Sequence, residues 1–125
     1  MGQLMVKEFV EEIEYPRPFF FDNRGKEGGR FEQAVEAAAS LLRLLVSNGV
    51  AVTFATWEGH FQPTASAEEM KSALRHLALI SLSKKMTGKG FDNWRTRTIK
   101  EGGGIFLQGE LPPPPSLPSC EVVPV

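Results

Sequence analysis

Apolar residues along the chain come in short unbroken runs and in longer periodic ones, and the two kinds alternate. From Pro18 to Phe21 the apolar residues follow one another without alternation. That pattern suits a strand covered on both faces, as in a parallel sheet flanked by helices. Charge and glycine at Asp22-Asn23-Arg24-Gly25-Lys26 end the run in a loop. Between about Arg30 and Asn48, Phe31, Val35, Ala38, Leu41, Leu42, Leu45 and Val46 share one helical face, with Glu32, Glu36 and Arg43 opposite. Asn48-Gly49 predicts the stop, because glycine past the last periodic residue takes up the left-handed conformation that satisfies the final carbonyls. Val50 to Ala55 is rich in β-branched and aromatic residues and reads as the partner strand. Strand, crossover helix and strand predict a parallel pair.

The rest of the chain packs on that unit. Leu4 to Glu14 alternates loosely and is read as an extended leading strand, broken by Tyr15-Pro16-Arg17-Pro18. Trp57 to Pro63 predicts a tight turn into a short edge strand. Ser66-Ala67-Glu68-Glu69 has the form of a capping box. It predicts a second helix with Met70, Ala73, Leu74, Leu77, Ala78 and Ser81 on one face, fading near Ser83, where Lys84-Lys85 favour its negative end. Met86 to Gly104 is read as irregular, with Phe91 to Trp94 a short helical turn. Gly104 to Gln108 predicts a third buried strand and Glu121 to Val123 a last one. The prolines of residues 111–118 exclude a helix and predict an extended spacer of about 25 Å in place of a crossover helix.

Composition narrows the function classes. A chain of 125 residues fits a single domain that buries about two thirds of its unfolded surface. Lys and Arg total 14 against 15 Asp and Glu, a balance that gives no global reason to expect nucleic acid or an anionic membrane as partner. The single cysteine, Cys120, has no internal disulfide partner and reads as a small buried residue in a late strand. No apolar run reaches the length of about 20 residues that a membrane helix needs, and Met1-Gly2-Gln3 does not open a secretion signal. The expectation is a soluble, cytoplasmic chain.

Phe20-Phe21-Asp22, the run from Arg30 to Leu41 and Gly49 to Val52, taken in this order, resemble the domain-of-unknown-function-58 family, whose members look like von Willebrand factor A domains. The similarity extends over most of Leu4 to Leu82. It implies an α/β fold with a doubly wound, mostly parallel sheet in three layers. Lacking the family's late helix, this chain is expected to carry reduced helix cover on one face. The resemblance also implies a crevice at the carboxyl ends of the strands, which in von Willebrand A domains holds a divalent metal through an Asp-x-Ser-x-Ser loop, a later threonine and a later aspartate. Asp22 matches the first aspartate and Thr87 stands nearest to the threonine. Arg24 and Lys26 occupy the serine positions, and the strand ending Gln108-Gly109-Glu110 offers no aspartate. Two cations beside the site oppose a hard divalent ion, so the expectation is a degenerate loop without metal or cofactor, with Asp22, Asn23, Arg24, Lys26, Thr87 and Gln108 lining a crevice that serves interaction.

Other chemistry finds less support. A phosphotransfer or hydrolase reading of Asp22 lacks the second aspartate two residues on, where Arg24 stands. His60 and His76 have no metal-ligand spacing and are expected to be solvated. Gly102-Gly103-Gly104 precedes a strand, the wrong context for a phosphate cradle. The basic stretch Lys84, Lys85, Lys89, Arg95, Arg97 and Lys100 reads as a solvated loop. The expected function is a non-enzymatic interaction module, docking a protein partner or a second copy through its thinly covered sheet face. The family resemblance implies a MoxR-type AAA+ ATPase as the associated partner and membrane tethering in longer parent chains. A divalent-metal-dependent ligand binder is the alternative, and a phosphotransferase or hydrolase the second.

Overall fold

The structure is a computed structural model that describes residues 16–26, 28–59 and 61–124, with backbone alone for 61–63. The leading strand expected at residues 4–14 and His60 lie outside the described residues. The elements run β1 (Arg17–Phe21), α1 (Phe31–Ser47), β2 (Val52–Thr56), β3 (Phe61–Thr64), α2 (Ala67–Leu79), α3 (Lys89–Glu101), β4 (Ile105–Gln108) and β5 (Glu121–Pro124). The strands form one sheet in the order β3-β2-β1-β4-β5. β1 pairs in parallel with both β2 and β4, β5 pairs in parallel with β4, and only the edge strand β3 is antiparallel. The expected parallel pair is present, with Phe19 opposite Phe54. The first described strand therefore lies at the centre of the sheet and the described chain winds outward from it in both directions, the doubly wound arrangement whose switch point lies between β1 and β4.

Side-chain alternation along β1 divides the core. Phe19 and Phe21 face one layer with Phe54, Leu107, Ala34, Ala38 and Leu42 of α1, and Ala73 and Leu77 of α2. Phe20 faces the other with Ala55, Trp57 and Phe106 of the sheet side and Phe91 and Trp94 of α3. All three phenylalanines are fully buried, each worth about 1.5–3 kcal/mol relative to exposure. Ala34, Ala38 and Leu42 recur every four residues, so α1 lays a narrow stripe of two alanines and a leucine on the sheet. Ala38 is fully buried, and enlarging it to leucine would overpack that contact by about 1–3 kcal/mol.

Local chemistry fixes the helix ends. At the close of α1, the Gly49 N–H donates to Val46 and the Val50 N–H to Leu45, while Gly49 takes φ +79°. These are the two bonds of a Schellman motif. At the start of α2 the Ser66 hydroxyl accepts from the Glu69 N–H at 3.2 Å, and Glu69 reaches back to the N–H of Ala65, one residue earlier than a standard box. The helix stops at Leu79 rather than near Ser83, since Ile80 is already extended. Residues 80–83 instead run beside the end of β1, where the Ser83 N–H donates to Asn23 and Arg24 bridges Ser83 in parallel. Lys84 and Lys85 consequently lie beyond the helix end and do not act on its dipole.

Residues 89–101 form a full helix, α3, where only a short aromatic turn was expected. Phe91, Trp94 and Thr98 are its buried stripe, at a spacing of three and four that surrounding glycines mask in the sequence. Gly90 is required by packing: a Cβ there would stand 2.6 Å from the Thr56 carbonyl. α3 covers the sheet face that was expected to be thinly covered, leaving Phe20 and Phe106 fully buried, so self-association through that face loses its basis. Cover is reduced only in being one helix against two, and at β5, where Val122 remains 40% exposed. The proline-rich connection does replace a crossover helix, returning from the end of β4 to the start of β5. It is not one straight extended span, because a turn closed by Leu117 N–H to Pro114 bends it. Leu117 and Cys120 pack against the aromatic cluster. Cys120 sits half-buried just before β5, and burial pushes its thiol pKa up. His76, expected to be solvated, is half-buried, edge-on to Phe54 and 3.4 Å from the Thr56 hydroxyl.

Candidate functional site: the crevice at the carboxyl ends of the strands

In a doubly wound sheet the loops after the central strands diverge to opposite faces and open a crevice at the switch point. Here those loops are 22–30 after β1 and 109–120 after β4, with 57–59 after β2 beside them. Asp22 is the first residue past β1 and is fully buried. Its Oδ1 accepts from the Arg24 Nε at 2.8 Å, the Arg24 backbone N–H at 3.2 Å and the Trp57 indole N–H at 2.7 Å. Its Oδ2 accepts from Arg24 Nη2 at 2.8 Å. A carboxylate offers about four lone-pair sites, and here both oxygens are engaged, with three of the four hydrogen bonds falling on Oδ1 and one on Oδ2. The fork-on-carboxylate geometry is the strong form of such a pair. Arg24 is 6% exposed, and its hydrogen bonds to Asp22 raise its pKa, outweighing burial, which acts to lower it. The guanidinium also lies over the Trp57 ring, 5.5 Å from its centroid, and donates to the Pro112 carbonyl at 2.9 Å. One arginine thus joins β1, β2 and the proline-rich connection.

Asn23, fully buried, completes a second set of contacts. Its Oδ1 accepts from the Trp57 N–H at 3.2 Å, and its Nδ2 donates to the Ser81 carbonyl at 3.1 Å and to Glu58 at 3.5 Å. Glu58 in turn pairs with Lys85 at 3.4 Å. Burial alone would push the Glu58 carboxyl up, but hydrogen bonds from Ser83, Asn23 and Lys85, with the charge of Lys85, hold it below the usual range.

The third contact closes the cleft on the α1 side. Arg30, the residue that opens α1, supplies no side-chain cap. Glu110 supplies it from the loop after β4, its carboxylate accepting from the backbone N–H of Arg30 and, at 3.0 Å, of Lys26. A negative group here meets both the orphan donors and the positive end of the helix dipole. Those backbone donors hold the Glu110 carboxyl below its usual range. Gly109 brings the strands' loops together: a Cβ on it would stand 2.8 Å from the Asp22 carbonyl and 2.9 Å from that of Arg24. What remains open is a recess of about 130 Å³ lined by Arg30, Gln33, Ala34, Gly109 and Glu110.

Of the residues singled out in the sequence, Asp22, Asn23 and Arg24 come together. Lys26 joins only through its backbone, its side chain being exposed. Thr87 is exposed in the connection before α3, and Gln108 turns its amide to the Leu111 carbonyl at 3.1 Å. Trp57, Glu58, Ser83, Gly109 and Glu110 escaped the sequence reading. Trp57 and Gly109 were findable in principle, as each is the first residue after a parallel strand and so must face the crevice. A divalent ion does not fit this donor set: both Asp22 oxygens are held by Arg24, and a positively charged guanidinium stands where an oxygen ligand would be needed. Among the described residues no cluster of three or more His, Cys, Asp or Glu side chains has metal-binding geometry, and no helix is long and apolar enough to cross a membrane. Comparison of the chain with protein-family models, with curated proteins and with solved structures gave no match.

Proposed function

We propose that this chain is a non-enzymatic interaction module of the von Willebrand factor A type, in which the crevice that would hold a metal is occupied by the protein's own side chains. The observation that carries the reading is the Arg24 guanidinium forked onto both oxygens of the buried Asp22 carboxylate, which sets a fixed positive charge where a metal ion would sit and engages the carboxylate that would attack a phosphoryl group. The α/β sheet wound outward from β1 supports it, as do the residues from Phe20 to Leu41 on which the family resemblance rests. By that resemblance a MoxR-type AAA+ ATPase is the first partner class to test, and tethering to a membrane through a longer parent chain is compatible with it.

Two measurements test the proposal. Titration calorimetry with magnesium or manganese is expected to give no binding heat and no thermal shift, and saturable heat lost on Asp22→Asn would replace this reading with the metal-dependent one. Photo-cross-linkers placed in turn at exposed positions on both ends of the sheet are expected to yield discrete protein adducts in cells. Adducts at none of them would leave the module without a partner, and turnover in a phosphatase screen abolished by Asp22→Asn would make it an enzyme.

A further inference from the structure

The connection from β4 to β5 presents a ridge of proline to solvent. Leu111, Pro112, Pro113 and Pro114 each precede a proline, which restricts them to extended backbone, and each proline ring fixes its own φ at about −65°. Such a run winds as a polyproline II helix of about three residues per turn, so positions 111 and 114 share one side. Burial follows that period: Leu111 is half-buried and Pro114 buried, while Pro112, Pro113 and Pro115 are exposed. Pro115 precedes a serine and is free to turn, and the chain bends there. Four internal donors pin the ridge. Gln108 Nε2 donates to the Leu111 carbonyl at 3.1 Å, Arg24 Nη2 to Pro112 at 2.9 Å, the Leu117 N–H to Pro114 at 3.3 Å and Arg95 Nε to Ser116 at 3.0 Å. The carbonyls of Pro113 and Pro115 accept no hydrogen bond among the described residues.

We propose that this ridge docks a partner protein through a groove lined by tryptophan and tyrosine side chains, whose rings cover Pro112, Pro113 and Pro115. The groove's indole N–H and phenol O–H groups donate to the two open carbonyls. The inference rests on the interaction-module reading and adds the surface and the partner's chemistry. Aromatic side chains suit the ridge because each joins an apolar face, on which a proline ring lies flat, to a polar tip that reaches a carbonyl. The path from β4 to β5 accounts for the inward residues, but polar residues at 113 and 115 would span the same distance. Because four bonds already hold the ridge, docking avoids the ordering cost that a free proline peptide carries. A second copy of this chain does not fit, since among the described side chains no aromatic is exposed. Nucleic acid and anionic lipid find no charge on the three rings.

The test titrates the whole chain, and separately a free peptide of residues 109–118, into a panel of purified domains that read polyproline through aromatic grooves, WW domains among them. At least one domain is expected to bind, and to bind the whole chain at least about threefold more tightly than the peptide, because the fold has ordered the ridge beforehand. Pro113→Ala with Pro115→Ala should weaken binding by at least about tenfold, with the thermal midpoint within about 5 °C of wild type. Truncating the groove tryptophan of the bound domain to alanine should abolish binding without altering this chain, and free poly-L-proline should compete. Binding by no domain, binding of the whole chain no tighter than that of the peptide, or binding unchanged by either substitution would overturn the inference. In cells, a photo-cross-linker at Pro113 is expected to join a protein beside a tryptophan or tyrosine of such a groove, and an adduct with a protein lacking one would count against the ridge. Adducts at Leu44 or Ile99, each more than half exposed, with none at Pro113 would refute the ridge and leave the module standing, whereas adducts at none of these positions would remove both.

Discussion

Asp22 and Glu110 are the two carboxylates that close the crevice, and they do so by opposite means. Asp22 is fully buried and is held by a side-chain cation and an indole. Glu110 lies at the surface and is held by backbone N–H groups at the start of α1. A buried charge is costly unless every lone pair is matched, so the Asp22 contact is stabilising only as a complete set. The Glu110 contact is local capping, open to water and screened by salt. The crevice therefore has a rigid half, where loss of one member disturbs the others, and a compliant half, where loss is confined to one helix end.

The largest way to break this contrast is Arg24→Ala, which strands a carboxylate in the core. It is expected to destabilise the fold by about 3–5 kcal/mol in chemical denaturation. Replacing both members, Asp22→Asn with Arg24→Met, should cost clearly less than Arg24→Ala alone; an equal or greater loss would show that the pair is not what matters. Gly109→Ala comes next, because the added methyl meets two backbone carbonyls that cannot rotate away. A loss of about 1–3 kcal/mol is expected, and an unchanged midpoint would place the two loops farther apart than described.

Glu110→Gln should have a smaller effect, and a pH-dependent one. Backbone donors depress the folded-state pKa of Glu110, so its contribution is present above the ordinary glutamate pKa and is lost as pH falls through the depressed value. The gap in thermal midpoint between wild type and Glu110→Gln should be open at neutral pH and close in acid below the usual glutamate range. A gap independent of pH would remove the charged cap from the account. Smallest, and opposite in sign, is Thr98→Val at the other end of the molecule. The Thr98 hydroxyl is buried with no hydrogen-bond partner among the described residues, so a substitution of equal shape should leave stability unchanged or raise it by up to about 1 kcal/mol. A loss larger than that would reveal a partner for the hydroxyl.

Much of the scaffold was legible because each signal was local. The unbroken run at Phe19 to Phe21, the four-residue recurrence of Ala34, Ala38 and Leu42, and Gly49 at a helix end each act within a few residues of chain. α3 was missed because its stripe of Phe91, Trp94 and Thr98 sits among glycines and charges that lower its apparent helicity. Its stability comes from burying two aromatics on Phe20 and Phe106, a tertiary effect that overrides propensity. The proline connection was read correctly as a substitute for a helix, but its bend depends on a carbonyl-to-amide turn that composition does not specify.

At the site, the sequence placed Asp22 and Arg24 two residues apart, and that spacing by itself opposes a metal ion. Only the folded chain decided that Arg24 would turn inward onto Asp22 while Lys26 turned out, since the choice depends on Trp57 from β2 and Pro112 from beyond β4. Likewise nothing local links Glu110 to the start of α1, 80 residues earlier. Periodicity and end signals determine elements, because they act between neighbours in the chain. Which charges become buried partners is settled when strands far apart in sequence lie side by side, and with it whether the crevice is open or filled.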